Sequence, residues 1–299
     1  MNDICNCSKL FKFILFADNT NIFYSSETAN NFVEIVNCEL AKLAEWFRAN
    51  KLSLNLKKTH FILFGNKSKS ILHSNPGIKI EGNVIERVSS TKFLGVYLDE
   101  NLNWKQHALQ ISMKVSKSIG VLYRIKHILT HDLLQMLYYT LIHPYFLYCN
   151  IIWGSASMAA LNNLVLLQKR AVRLISKSEF RAHSSPIFKR LRILKLADIN
   201  TFQTLVFMYK IKNNLLPTSS FKHVHIKTDN SLYNLRKDRD FIVEKYKTVI
   251  RKKSIAVFGP DLWHPLSDAI KSASSVIIFK RLLTDSLIDC YYGLYRMFT

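Results

Sequence analysis

The apolar positions change period along the chain. Phe11–Ala17 and Thr20–Tyr24 are short runs rich in Phe and Ile, with Asp18-Asn19 between them. Asx residues tolerate positive φ, so the pattern predicts a hairpin turning at that dipeptide. From Glu27 to Ala49 the apolar residues Phe32, Ile35, Val36, Leu40, Leu43 and Phe47 fall three and four apart. That is the period of an amphipathic helix, with Ser26 as its cap. Asn50–Asn55 reads as a short extended piece, His60–Phe64 as a strand, and Gly65–Gly77 as a polar loop. Ile78–Ile80 and Val84–Val88 suggest a hairpin across Glu81-Gly82-Asn83, and Phe93–Leu98 a further strand.

After Trp104 the period becomes helical. Trp104–Ile128 carries Ile111, Val115, Ile119 and Leu122 on one stripe. Leu133–Leu141, Ala156–Ser176, Ala197–Asn213 and Ser274–Cys290 are further helices. In the third of these, Phe202, Leu205, Val206 and Tyr209 face one way. The expected fold class is α+β, with a strand-rich first third and a helical remainder. The 299 residues suggest about two domains at roughly 150 residues each.

Charge sharpens that division. The chain holds 42 Lys and Arg against 21 Asp and Glu, a formal net charge of +21. Residues 101–195 contribute fourteen basic residues and only two acids, Asp132 and Glu179, and so carry more than half of the excess. Such a segment points to a polyanionic partner, nucleic acid first and an acidic membrane surface second. An apolar content of 48% excludes a mainly disordered chain. Five scattered cysteines form no disulfide framework and fit a reducing compartment, nucleus or cytoplasm. Between Asp132 and Lys169 there is no Asp, Glu, Lys or Arg, and Leu133–Gly154 is long enough to span a bilayer, which takes about 20 residues. Pro144 would break a helix there. The segment is read as a buried helix, turn and strand-like piece, and no membrane partner is expected.

Several blocks in order carry a resemblance. Phe16-Ala17-Asp18-Asn19-Thr20 resembles the F/Y-A-D-D-T motif of reverse transcriptases, preceded by Asn2-Asp3-Ile4. Asn50-Lys51-Leu52-Ser53-Leu54-Asn55 with Lys58-Thr59 resembles the next block, N-x-x-K-T, and Lys92-Phe93-Leu94-Gly95-Val96 the F-L-G block that grips the primer. Tyr138–Tyr145, Ile152-Trp153-Gly154, Leu167–Arg173, Phe207–Lys210 and Asn213–Pro217 continue the match. Together they resemble the C-terminal portion of the reverse transcriptase of non-LTR (LINE-type, jockey-like) retrotransposons.

The resemblance implies the end of a polymerase palm over 1–100, a basic thumb over 101–195 and a helical tail over 196–299. It implies an RNA-directed DNA polymerase using Mg2+. Enzymes of this kind hold two divalent ions, about 3.5–4 Å apart, with carboxylates. Asp18 matches a metal ligand; Asn19 stands where the family has a second Asp and brings an oxygen without the charge. A further metal-binding Asp, the nucleotide-binding blocks and an endonuclease are expected in N-terminal regions of the intact protein. This chain by itself is expected to be inactive.

Candidate nucleic-acid residues are Lys58, near an incoming phosphate or on a solvated strand edge, and Phe93, Leu94 and Gly95 in the primer grip or core. Lys105, Lys114, Lys117, Arg124 and Lys126 are the phosphate contacts, engaging backbone rather than base. The expected partners are RNA and RNA–DNA duplex. Trp104, Tyr123 and Tyr145 are read as core aromatics, His143 as structural, and His107, His127 and His131 as helical residues without metal partners. Two other functions stay open: a non-catalytic nucleic-acid-binding remnant and a basic membrane-surface protein.

Overall fold

The computed structural model describes residues 3–17, 19–26, 31–65, 77–226 and 240–291. The chain divides into two compact units, residues 1–102 and 103–299.

In the first unit, β1 (Lys12–Phe16) and β2 (Asn19–Phe23) pair antiparallel with Phe16 opposite Asn19. Asn19 is therefore already paired, so the hairpin does not turn on the Asp18-Asn19 dipeptide as the Asx pattern suggests. Ala17 takes the left-handed conformation, φ 51°, and Asn19 is the first residue of a strand rather than half of a turn. Helix α1 (Phe32–Ala49) buries Val36, Leu40, Leu43 and Phe47 against Ile4, Phe11, Ile78, Ile80 and Ile85. It starts later than Ser26 predicts, with left-handed Asn31 at its N-cap. The buried Glu39 is held by the Ser8 hydroxyl and by Lys42 at 2.5 Å. These bonds, Lys42 first, keep its pKa below the usual glutamate value.

The remaining strands of this unit are short. β3 (His60–Phe61) is two residues long, β4 (Lys79–Ile80) and β5 (Asn83–Val84) form a hairpin, and β6 (Glu86–Arg87) runs parallel to β3. The hairpin turns on Glu81-Gly82, both at positive φ, with Asn83 already in β5. Asn50–Asn55 forms no strand, and residues 66–76 of the expected polar loop lie outside the described residues. The expected strand Phe93–Leu98 is instead a hairpin, β7 (Ser90–Phe93) and β8 (Val96–Asp99), turning on Leu94-Gly95. Both turn residues have positive φ, 44° and 85°. Gly adopts this freely and Leu only at a steric cost, so Leu94 conceals the turn from a reading of residue types.

The second unit is helical in its main elements. Helix α2 (Lys105–Ile125) buries the expected stripe, and its largest contact is with α6 (Met158–Ile175). Between them lie α3 (His131–Leu141), α4 (His143–Leu147) and α5 (Asn150–Trp153). Pro144 sits in the first turn of α4, where its missing N–H costs nothing. The strand-like piece expected here is helical. Among the described residues no helix is long and apolar enough to cross a membrane.

Helix α7 (Ser184–Arg190) leads into α8 (Leu196–Lys212). The last part of the unit holds β9 (His225–Ile226) paired with β10 (Phe241–Ile242), then α9 (Val249–Lys252), α10 (Ile255–Trp263), α11 (Asp268–Lys271) and α12 (Val276–Asp289). Ser275 caps α12, accepting a hydrogen bond from the Ile278 N–H. Two cores result. One gathers α2, α3, α6 and α7; the other gathers α10 and α12 around Trp263 and Phe279. Helix α8 serves both: Leu196 and Ile199 enter the first, and Leu205, Met208, Tyr209 and Ile211 the second. It is thus buried nearly all round, not on the single face its Phe202–Tyr209 stripe suggests.

Candidate nucleic-acid interface

The first candidate cluster is the β1–β2 hairpin. Asp18 lies outside the described residues. Asn19 is exposed at the start of β2. Magnesium wants several oxygen ligands, typically six, with carboxylates among them. Three described carboxylates of this unit are paired with cations: Glu39 with Lys42, Glu81 with Arg48 at 3.1 Å, and Glu100 with Arg87 at 3.3 Å. Asp99 accepts from the Asn101 N–H at 3.1 Å. Among the described residues no three His, Cys, Asp or Glu side chains could share a metal ion. These residues do not make up a magnesium site.

The second cluster is the β7–β8 turn. Phe93 is half-buried and its ring meets that of Phe23 edge-on, with centroids 6.2 Å apart. Leu94 and Gly95 are exposed at the tip. The F-L-G block thus leans on the strand that begins at Asn19. Lys58 is exposed in a turn before β3, not on a strand edge; its N–H donates to the Asn55 carbonyl at 3.0 Å.

The third cluster lies in the second unit, on α2. At 3.6 residues per turn, Lys117 and Arg124 fall opposite the buried Ile111–Leu122 stripe, with exposed Met113 beside them. Lys105 and Lys114 stand exposed on the two flanks, Lys114 with its ammonium 5.6 Å from the Tyr145 ring. Lys126 follows the helix and lies 4.6 Å from the Tyr123 ring. Tyr123 is 54% exposed, so it is no core residue. Gly120 occupies the outward side, with nothing within 4 Å of where a Cβ would stand. None of the five basic residues forms a salt bridge among the described residues.

Burial explains the histidines. His107 packs on Trp153 at 5.3 Å, and His143 on Tyr138 and Tyr139 at 5.8 and 5.1 Å. Desolvation pushes both pKa values down to about 4, with Lys114 adding to the effect at His107. His131 bonds the Ile175 carbonyl at 2.8 Å. His127 is not helical: it lies in the turn after α2.

The Leu167–Arg173 block has a structural centre. Gln168 is buried and its amide N–H groups donate to the Tyr138 hydroxyl at 3.1 Å and the Leu194 carbonyl at 2.9 Å. Its carbonyl accepts from the Leu196 N–H at 2.9 Å, at the start of α8. Gly154 is likewise structural. A Cβ there would meet the Asn150 and Asn200 side chains at 2.5 Å.

Residue types alone missed a cleft of about 250 Å³ at the C-terminal ends of α2 and α6, lined by Lys126, His127, Arg173, Leu174, Lys177 and Ser178. The available signal was Lys169, Arg173 and Lys177 at intervals of four, which leads along α6 to the residues just past its end.

Comparison with known proteins agrees with the resemblance of the blocks. The chain is 26% identical over 181 residues to the probable RNA-directed DNA polymerase from transposon BS of Drosophila melanogaster, covering 60% of this chain and 20% of that protein. It is 24% identical over 208 residues to the RNA-directed DNA polymerase from mobile element jockey of the same fly, covering 68% of this chain and 22% of that protein. The probable polymerase from transposon X-element matches at 23% over 188 residues, 61% of this chain and 20% of its own length. The chain spans about one fifth of the length of the curated relatives it matches. No family model and no solved structure matches it.

Proposed function

From a chain that is a sequence relative of RNA-directed DNA polymerases of mobile elements, we propose the C-terminal, nucleic-acid-holding part of such a reverse transcriptase. The first unit is read as the end of the palm, and the basic helical unit as a thumb with its tail. The observation that carries the reading is the outward face of α2, where lysines and an arginine stand exposed without carboxylate partners in a relative of polymerases. Such a face engages phosphates by charge and shape, without base readout. RNA and RNA–DNA duplex are the proposed partners.

Catalysis by this chain alone is not part of the reading. Asn19 brings no charge to the hairpin, and among the described residues no three His, Cys, Asp or Glu side chains could share a metal ion. Mg2+ would be held with residues supplied by the rest of the intact protein.

Anisotropy of a labelled RNA–DNA hybrid across a salt series tests the binding. Each phosphate neutralised contributes about −0.9 to the slope of log K against log salt on B-DNA, so six contacts give a slope near −5. Replacing Lys114, Lys117, Arg124 and Lys126 together by Gln flattens it. Salt-independent binding, or an unchanged slope in the variant, overturns the reading. Primer extension on an RNA template by the purified chain is expected to give no product. Salt-sensitive capture by anionic vesicles with no hybrid binding would instead favour a membrane-surface protein.

A further inference from the structure

The cleft between the ends of α2 and α6 joins residues far apart in sequence. Lys126 and His127 follow α2, while Arg173, Lys177 and Ser178 come from the last turn of α6 and the residues after it. Among the described residues no carboxylate lines it. Part of the arrangement is structural. Two helix C-termini present partial negative charge, and basic residues there are favourable by themselves. Arg173 Nε–H donates to the Ala182 carbonyl at 2.8 Å, and Lys177 Nζ to the Leu129 carbonyl at 3.1 Å.

Those bonds use one donor of each cation. A guanidinium has five N–H groups and an ammonium three. The rest have no protein partner among the described residues. Lys126 makes only its approach to the Tyr123 ring. Carbonyls thus anchor Arg173 and Lys177 in fixed positions while most of their donors stay unspent. Helix dipole compensation alone needs neither a concave wall nor a hydroxyl and an imidazole converging on the same space. The concavity, the surplus donors and the absence of acids together describe a seat for a compact anion with several acceptor oxygens.

We propose that this cleft holds one backbone phosphate of a nucleic-acid strand, with Arg173 and Lys177 as fixed donors and Lys126 closing from α2. The proposal rests on the nucleic-acid reading given above, and adds an anchoring point distinct from the outward stripe of Lys117 and Arg124. Arg173 offers the planar fork that matches phosphate oxygens. The aliphatic wall of Leu174 and the lack of any base-sized aromatic surface among the lining residues make the contact one to backbone, not to base.

The test uses the full chain with a labelled RNA–DNA hybrid across a salt series. It compares the parent with a cleft variant, Lys126→Gln with Lys177→Gln, and a stripe variant, Lys117→Gln with Arg124→Gln. Losing one phosphate contact is expected to make the cleft variant's slope shallower by about 0.9. Adding hybrid to the parent is expected to shift the His127 ring resonances in NMR spectra. Both cleft substitutions spare Arg173, whose bond to Ala182 supports the fold, and an unchanged melting temperature confirms that the variant is intact. If the parent shows no salt-dependent binding, the nucleic-acid reading falls and the cleft proposal with it. If the parent binds, the stripe variant weakens it, and the cleft variant matches the parent with His127 unmoved, the cleft proposal alone falls. His127 shifts produced by inorganic phosphate but not by hybrid would assign the cleft to free phosphate and overturn it as a nucleic-acid contact.

Discussion

The Phe93 ring meets the Phe23 ring edge-to-face, 6.2 Å between centroids and 88° between planes. This contact joins the F-L-G turn to the strand that begins at Asn19. Edge-to-face pairs contribute about 0.5–1.5 kcal/mol beyond burial. A double-mutant cycle of Phe23→Leu and Phe93→Leu, followed by urea denaturation, is expected to return a coupling energy in that range. Strictly additive losses would show that the two hairpins do not support each other.

Gln168 carries the next prediction. Leu at this position leaves the Tyr138 hydroxyl, the Leu194 carbonyl and the Leu196 N–H without their partner. Each buried orphan costs about 1–3 kcal/mol, so Gln168→Leu is expected to destabilise by roughly 3–5 kcal/mol. Gln168→Glu keeps the acceptor for Leu196 but loses both donors, and it too is expected to fall well below the parent. A stability within 1 kcal/mol of the parent for the Leu variant, as a rough threshold, would mean that the Gln168 bonds contribute little.

Two desolvated histidines, the buried His107 and the half-buried His143, make the second unit sensitive to acid. Their folded pKa values, about 4, lie below the unfolded value of about 6.5. Between those values the unfolded chain binds more protons. Their stabilising contribution is therefore complete above about pH 6.5 and is lost as pH falls towards 4. Between pH 6.5 and 4 the loss is at most about 3 kcal/mol for each histidine, and less for the half-buried His143, which solvent screens. Melting temperature measured from pH 7.5 to 4.5 should fall accordingly, and His143→Phe should reduce the slope. A parallel curve for that variant would assign the acid sensitivity to other groups.

Gly120 lies mid-helix with open space around it. Glycine there costs about 0.8–1.0 kcal/mol relative to alanine. Gly120→Ala is thus expected to raise the stability of the second unit by about 1 kcal/mol, read as a higher melting temperature in thermal denaturation. A lower value would reveal a neighbour against the outward face of α2 in solution.

The helices were legible wherever one face alone is buried, as in α1 and α2, because a period of three and four then records the packing. Helix α8 hid its second buried face, since a helix walled on both sides loses its polar stripe. Turn positions were misread at β1–β2 and β4–β5, and β7–β8 was missed as a hairpin. Ala17, Glu81 and Leu94 adopt left-handed backbone that their side chains do not advertise. The outward lysines of α2 follow from sequence period. The cleft does not, because Lys126 and Arg173 meet only through the packing of α2 on α6.

Helix α8 also governs how the second unit comes apart. Its first turns close one core and its later turns the other, and the buried Asn200 amide donates to the Asn150 carbonyl at 2.9 Å where the two meet. Neither core keeps its wall if α8 leaves. The pair therefore forms a single cooperative foldon rather than two. In hydrogen exchange the amides of α8 should share one opening free energy with those of α6 and α12, so that damage to either core is felt by the whole unit.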